Sequence, residues 1–179
     1  MARGLKAGQQ ITLSGLVYTA RDAAHRRMAA AIEQGELLPI DLRGETIYYV
    51  GPTPARVGRV IGAAGPTTAA RMDPFTVPLL EQGLLAMIGK GDRGPEVRAA
   101  IARHGAVYFM AVGGSGALLS RHIRAVEVVA YEDLGTEAIR RMDLDGFPVI
   151  VACDAAGGNL FEDGRAAYRR AAALGGYRP

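Results

Sequence analysis

Residues 84–112, LLAMIGKGDRGPEVRAAIARHGAVYFMAV, hold two apolar runs on either side of a glycine-rich loop and an amphipathic segment. The runs at 84–88 and 106–112 are short and almost unbroken, as in strands that are buried on both faces. The segment between them, 95–104, begins with a proline and is followed by Gly105, a pattern typical of a helix. This stretch therefore predicts a βαβ unit with parallel strands.

Similar patterns extend this unit in both directions. Further strands are predicted at 11–20, 46–50, 123–131 and 147–153, and further helices at 21–34, with Asp22 as N-cap, and at 75–82. Less regular stretches predict a strand or the start of a helix at 57–63 and a helical turn after Pro66 that ends at Pro74. They also predict short helical segments at 117–122 and 136–141, and a helical tail from residue 166. The alternation predicts one α/β domain over 1–179, with a mostly parallel central sheet and covering helices.

Composition narrows the possible functions. Net charge is +3 and hydrophobic residues make up 49%, yet no apolar run approaches the ~18 residues of a membrane span. The first ten residues lack an apolar core, so we expect a cytoplasmic protein without a signal peptide. The arginines are scattered beside acids and there is no Trp, which argues against nucleic-acid binding.

Metal and disulfide chemistry have few candidate residues. The chain contains one cysteine, Cys153, and three histidines that lie far apart in the sequence. A single cysteine excludes an intrachain disulfide and an iron–sulfur cluster held by this chain alone. We therefore expect no metal ligands here, and any metal centre must come from a partner. Cys153 lies at the end of an apolar strand, and this position favours a small buried residue over the alternative, a nucleophile.

Residues 65–73, GPTTAARMD, form the most distinctive polar segment. Thr67 or Thr68 is suited to cap a helix, and Arg71 follows about one helical turn later. Together they offer an anion backbone N–H groups, a hydroxyl and a guanidinium fork. The alternative is an ordinary helix start with a surface arginine.

Three other clusters follow predicted strands, where α/β proteins usually bind ligands. Arg21 and His25 lie one helical turn apart, either facing a ligand or forming an Asp22 ion pair and a half-buried histidine. Lys90 belongs to a glycine-flanked loop that either approaches an anion or is a solvated basic turn. The loop 113–116, GGSG, is either a phosphate or carboxylate site or a plain tight turn. Arginine, lysine and threonine side chains are suited to bind an anionic substrate, but without a carboxylate pair they do not obviously activate water or carry out redox chemistry. This set of residues therefore suggests half of an active site, with the other half supplied elsewhere.

Several of these motifs occur together in the order found in a known family. The chain resembles the β subunit of two-subunit class I fumarases and L(+)-tartrate dehydratases, equivalent to the C-terminal domain of single-chain class I fumarases. The resemblance covers about residues 11–161. The motifs that carry it are Arg21-Asp22-Ala23-Ala24-His25, Tyr49-x-Gly51-Pro52, Gly65-Pro66-Thr67-Thr68-x-x-Arg71-Met72-Asp73, Lys90-Gly91-x-Arg93-Gly94, Gly113-Gly114, Tyr131-Glu132-Asp133-Leu134-Gly135-x-Glu137-Ala138-Ile139 and Phe147-Pro148.

The resemblance implies a swivelling β/β/α-type domain of an iron–sulfur hydro-lyase that hydrates fumarate reversibly to (S)-malate. It implies a [4Fe–4S] cluster held by three cysteines of an α subunit, and an α2β2 complex or a β dimer. Arg21 and Lys90 are implied to bind substrate carboxylates, Thr67 to accept the proton, Arg71 to bind substrate and lower the pKa of Thr67, and His25 to be functional. Two alternatives remain: dehydration of L(+)-tartrate to oxaloacetate, and a non-catalytic anion-binding module.

Overall fold

The computed structural model describes residues 4–173, which contain six strands and five α-helices. The strands are β1 (Gln10–Thr19), β2 (Thr46–Tyr48), β3 (Ala86–Gly89), β4 (Val107–Met110), β5 (Ile123–Ala130) and β6 (Ile139–Cys153). The helices are α1 (Asp22–Glu33), α2 (Asp73–Glu81), α3 (Pro95–His104), α4 (Gly116–Leu119) and α5 (Leu160–Ala173). Short 3₁₀ turns lie at Ala69–Met72, Ser120–His122 and Glu132–Glu137. None of the helices in this part of the chain is long and apolar enough to cross a membrane.

The sheet closes on itself. Strands β1, β2, β3 and β4 are parallel neighbours in that order, and β6 runs antiparallel to β4 and to β1. These pairings complete a ring of five strands. The sixth strand, β5, pairs antiparallel with the first half of β6. The sheet is therefore mixed, with a parallel central segment. The assignment to the swivelling β/β/α class stays a prediction.

Alternating side chains on the central strands build two apolar clusters. Tyr48, Ile88 and Phe109 belong to a cluster that every strand of the ring supplies, so it fills the interior. Their neighbours Ile47 and Met87 belong to the other cluster, which includes buried residues of α1, α2 and α3. Both faces of β2–β4 are thus buried, which explains why these strands read as nearly unbroken apolar runs.

Most predicted elements are confirmed with shifts of a few residues. Strands β1 to β5 form at or near the predicted positions, and α1 and α3 agree closely with the predicted helices. The tail helix α5 begins at Leu160, six residues earlier than its composition indicated. Residues 174–179 of the predicted tail lie outside the described residues.

Four expectations about element ends and turns were wrong. Residues 57–63 form no regular element, because Gly58 takes a φ of +73° and the segment folds back on itself. Pro74 lies in the first turn of α2 rather than ending a helix, a position where its missing N–H costs no hydrogen bond. The helical turn predicted at 136–141 is present only as the end of the 3₁₀ turn Glu132–Glu137, and β6 then begins at Ile139 instead of residue 147.

The fourth correction concerns the cap of α1. The N-cap residue is Arg21, with an extended φ of −122°, and Asp22 is the first helical residue. The Glu137 carboxylate accepts a hydrogen bond from Ala23 N–H at 2.8 Å and caps the helix from a distant part of the chain. A capping residue so far away in sequence leaves no local signal.

Candidate functional site

The candidate residues gather at one edge of the sheet. Because β1 to β4 are mutually parallel, the segments that follow their carboxyl ends lie side by side. Arg21 follows β1, Gly51 follows β2, Lys90 follows β3 and Gly113 follows β4. The topology therefore brings together four sequence motifs, each about 20–40 residues from the next along the chain.

Arg21 lies at the start of α1 with its guanidinium uncommitted. Its Nη2 is 3.6 Å from Asp22 Oδ2 and 3.6 Å from Glu137 Oε1, too far for hydrogen bonds. Its Nε is buried without a partner among the described residues. A Cβ on Gly51 would lie 2.7 Å from Arg21 Nη1, so only glycine leaves room for this arginine. Arg21 is thus held between two carboxylates, and its guanidinium makes no hydrogen bond within the described residues.

Asp22 joins Arg21 to Arg71. Arg71 Nε donates to Asp22 Oδ1 at 2.8 Å, and Asp22 Oδ2 is the oxygen nearest Arg21. Asp22 accepts only from Nε of Arg71, whose side chain is 52% exposed, and the Nη groups make no hydrogen bond with the described residues. The sequence predicted Asp22 only as a cap or a partner of Arg21, and its link to Arg71 was missed because 49 residues separate them.

His25 is fully buried behind this pair. Its Nδ1 is 3.0 Å from the Arg21 carbonyl oxygen, and its ring meets the Tyr49 ring edge-on at 5.1 Å. A carbonyl only accepts, so Nδ1 carries the hydrogen and Nε2 holds a lone pair, which has no partner in the described part of the chain. Burial lowers the pKa of His25 to about 4, although the hydrogen bond to Arg21 opposes the shift. Near neutral pH the ring is therefore uncharged and cannot pair with a substrate carboxylate.

Thr67 and Lys90 are joined through their backbones. Thr67 N–H donates to the Tyr49 carbonyl at 2.7 Å, and Lys90 N–H donates to the Thr67 carbonyl at 3.0 Å. Ala69 N–H then donates to the Lys90 carbonyl at 2.8 Å, so this segment extends the sheet just beyond β3. The Thr67 hydroxyl makes no hydrogen bond to any described residue. Thr68 is the N-cap of the following 3₁₀ turn, but its side chain does not cap it.

The Lys90 side chain crosses the glycine loop after β4. A Cβ on Gly113 would lie 3.3 Å from Lys90 Cδ, so glycine gives the lysine stem its path. No carboxylate of residues 4–173 forms an ion pair with its ammonium group. Further along, a Cβ on Gly116 would lie 2.8 Å from Gly65 N, so this loop packs directly on the segment that leads to Thr67. The loop 113–116 thus supports the site by close approach. Helix α4, with four residues, is too short to form an anion site of its own.

Arg93, from the same loop as Lys90, has a structural role. It is 3% exposed, and its Nε donates to Asp73 Oδ1 at 2.6 Å. Its other nitrogens donate to the Tyr49 hydroxyl at 3.1 Å and to Thr76 Oγ1 at 2.7 Å. This network fixes the loop after β3 to α2, and thereby fixes the backbone of Lys90. Nothing in the sequence distinguishes the roles of these two basic residues.

The charges of the site favour anions. Arg21, Arg71 and Lys90 supply three cationic groups, and Asp22 and Glu137 supply two carboxylates. The described residues contain no group of three or more His, Cys, Asp and Glu side chains placed to hold a metal ion. Fold and site together define an α/β protein with a cationic cluster at the carboxyl ends of its parallel strands.

Comparison with known proteins identifies the family. The family model described as Fumarase C-terminus matches residues 1–164, so this chain belongs to that family. It is 38% identical over 156 residues to fumarate hydratase 1, mitochondrial, of Leishmania major, and 36% identical over 155 residues to the aerobic class I fumarate hydratase of Escherichia coli (strain K12). Each of these alignments covers 86% of this chain and only 28% of the relative.

A relative of similar length also matches. The putative L(+)-tartrate dehydratase subunit beta of Methanocaldococcus jannaschii is 35% identical over 165 residues, which is 89% of this chain and 85% of the relative. The chain thus spans less than a third of the two fumarate hydratases, but most of a protein named as a separate subunit.

Proposed function

We propose that this chain is the β subunit of a hydro-lyase that interconverts fumarate and (S)-malate. The observation that carries the proposal is the convergence of Arg21, Thr67, Arg71 and Lys90 at one sheet edge, in a chain of the Fumarase C-terminus family. Neither the cationic cluster nor the family membership alone would select this reaction.

The cationic groups are suited to a dicarboxylate. Arg21 donates no side-chain hydrogen bond within the described residues, Lys90 has no ion pair there, and Arg71 keeps its outer nitrogens free. Guanidinium forks match the geometry of carboxylates, and the bonds they form are stronger because both partners are charged. We propose that these three residues bind and orient the two carboxylates, and that Asp22 holds the arginines in place.

Thr67 is the proposed proton carrier. In the dehydration direction Thr67 acts as its alkoxide, whose oxygen takes the proton from the carbon beside a carboxylate and becomes a hydroxyl. In the hydration direction this hydroxyl gives the proton back to the carbon and the alkoxide forms again. A threonine hydroxyl is a poor base in water, so this role needs a nearby cation and the exclusion of water. Arg71 supplies the cation, and closure against a partner chain would exclude the water. His25 supports the site from behind, through its bond to the Arg21 carbonyl.

The proposed [4Fe–4S] cluster does not fit the residues of this chain. Cys153 is 2% exposed, and burial raises the pKa of its thiol to about 12. We therefore assign the cluster to an α chain. The β-subunit name of the Methanocaldococcus jannaschii relative supports a separate partner. An α2β2 complex is the assembly that we propose, with a β dimer as the alternative.

A second candidate reaction is the dehydration of L(+)-tartrate to oxaloacetate. It is favoured by one observation, the match over 85% of the putative tartrate dehydratase subunit. Tartrate has the same two carboxylates and one more hydroxyl, so the cationic cluster described above serves either substrate.

Reconstitution with the partner tests the proposal. The chain is co-purified with its α chain under anaerobic conditions and assayed with fumarate, (S)-malate and L(+)-tartrate. We expect fumarate hydration by the complex and none by this chain alone, and the ratio of kcat/KM for malate and tartrate assigns the substrate. No turnover of any of the three by a complex with an intact cluster would leave the non-catalytic anion-binding module as the better explanation.

A further inference from the structure

A second basic cavity lies beside the loop 53–63. It has a volume of about 450 Å³ and is lined by this loop and by residues of α4 and the 3₁₀ turn Ser120–His122. Three arginines line it: Arg56, Arg59 and Arg121. No acidic residue is among its lining residues. None of the residues of the candidate site described above lines it.

The three arginines are unusual because their side chains form no ion pair or hydrogen bond with the residues that the structure describes. Twelve of the seventeen arginines in residues 4–170 form an ion pair or a hydrogen bond with other described residues. Three of the remaining five line this one cavity, whereas Arg26 and Arg169 lie on separate helices. Like charges gathered around a concave surface repel one another and gain from an anion between them.

The loop that carries two of the arginines is held closed at its base. Thr53 N–H donates to the Ala63 carbonyl at 3.1 Å, and Gly62 N–H donates to the Thr53 carbonyl at 3.2 Å. The Thr53 hydroxyl accepts a further bond from Ala63 N–H at 2.8 Å. A Cβ on Gly62 would come within 2.5 Å of backbone and side-chain oxygens, so the closure requires glycine. This closure holds Arg56 and Arg59 opposite Arg121, which lies about 60 residues further along the chain.

We propose that this cavity binds the phosphate group of a small phosphorylated molecule. A phosphate group presents up to three acceptor oxygens and close to two negative charges, which three guanidinium forks match better than a single carboxylate would. The cavity volume suits a small ligand.

The loop beside this cavity is continuous at both ends with segments of the candidate site. One end of the loop continues from Gly51, which packs on Arg21, and the other leads through Ala64 and Gly65 to Thr67. The Ala64 carbonyl accepts a bond from the buried Tyr48 hydroxyl, and this bond fixes the connecting segment to β2.

The test uses inorganic pyrophosphate and the full chain, with binding measured by calorimetry at low ionic strength. Arg121→Gln is expected to weaken binding by about tenfold or more, because it removes charge-assisted bonds to the ligand. Arg169→Gln is the matched control: it removes the same charge from an arginine on α5 that has no ion pair or side-chain hydrogen bond to the described residues, and it should change the Kd less than twofold. Arg71→Gln, in the candidate site, should likewise leave pyrophosphate binding within twofold.

Three results would overturn the proposal. They are the absence of saturable binding to the unaltered chain, equal weakening by Arg121→Gln and Arg169→Gln, and loss of binding with Arg71→Gln alone. Circular dichroism and thermal melting of each variant confirm that it is folded, and these exposed side chains carry no packing that would unfold the chain. Because the assay measures binding rather than turnover, its outcome is independent of the hydro-lyase proposal.

Discussion

Replacing Gly51 with alanine should disable Arg21 while leaving the fold intact. The new Cβ would lie 2.7 Å from Arg21 Nη1 and 3.1 Å from its Cδ, so the flexible guanidinium must move away. The nearest backbone atom, the Thr136 carbonyl oxygen, would be 3.3 Å away and needs to shift by only a few tenths of an ångström. The φ of Gly51 is not positive, so alanine adopts this backbone conformation without strain.

The magnitude follows from the bonds that Arg21 is proposed to make. A hydrogen bond between charged groups contributes about 1.5–3 kcal/mol. A displaced Arg21 can no longer form one or more of its proposed hydrogen bonds with the substrate carboxylate. We expect kcat/KM for fumarate to fall by about 10- to 100-fold, equivalent to about 1.4–2.8 kcal/mol. The free energy of unfolding should change by less than ~1 kcal/mol, since a flexible side-chain tip makes the main movement and the backbone at Thr136 shifts by only a few tenths of an ångström.

The assay compares fumarate hydration and urea unfolding for Gly51→Ala in complex with the partner chain. Gly164→Ala is the control, because a Cβ at that position of α5 meets nothing within 4 Å. A folded Gly51→Ala variant with kcat/KM within twofold of the unaltered protein would refute the placement of Arg21 in substrate binding.

Three further predictions concern the proton carrier, the buried histidine and the buried arginine. Thr67→Val should lower kcat by at least about 100-fold while Thr67→Ser retains much of it, in the range typical of a lost proton-transfer group; equal loss in both variants would remove Thr67 as the carrier. Folding lowers the pKa of His25 from 6.5 to about 4, so the unfolded chain binds a proton at a higher pH than the folded chain does. The contribution of neutral His25 to the free energy of unfolding is therefore present at pH 7 and is lost as the pH falls through 6.5 towards 4. Urea unfolding should show a loss of about 2 kcal/mol between pH 7 and pH 5 that His25→Gln largely abolishes, and an unchanged pH dependence in that variant would contradict the burial argument. Arg93→Ala leaves the Asp73 carboxylate without its ion-pair partner and creates a cavity, so it should lower the free energy of unfolding by about 3 kcal/mol or more. Arg43→Ala removes an exposed ion pair and should change the free energy of unfolding little.

The sequence predicted the parts of the fold that depend on local pattern. Helix α3, with its N-terminal proline and following glycine, and the apolar strands β3 and β4 were found where the pattern placed them. The first half of β6 was missed because arginine and aspartate alternate with its buried residues, and the sequence does not show that β1 and β5 flank it. Pairing partners more than a hundred residues apart leave no local trace.

The candidate site was predictable as a set of residues but not as a network. Arg21, Thr67, Arg71 and Lys90 were chosen from their positions after strands and from the motif order, and the structure places them at one edge. Asp22 binds Arg71 and Glu137 binds the N–H of Ala23, and both partners are distant in sequence. These two contacts depend on the closed sheet, so no local sequence pattern predicted them. The burial of His25 was also hidden, because an alanine-rich helix gives little indication of how deeply one of its residues is buried.

The closure of the ring by β1 and β6 has a consequence for how the chain folds during synthesis. The Thr19 hydroxyl bonds to the Ala138 carbonyl and the Arg140 N–H, which lie 119 and 121 residues further along the chain. Until the ribosome has produced those residues, β1 has an unpaired edge available to other chains, and contacts of such high sequence separation form slowly. Truncation within β6 should therefore yield aggregates rather than a smaller folded protein, and chaperone binding to nascent chains should end once residue 153 has emerged.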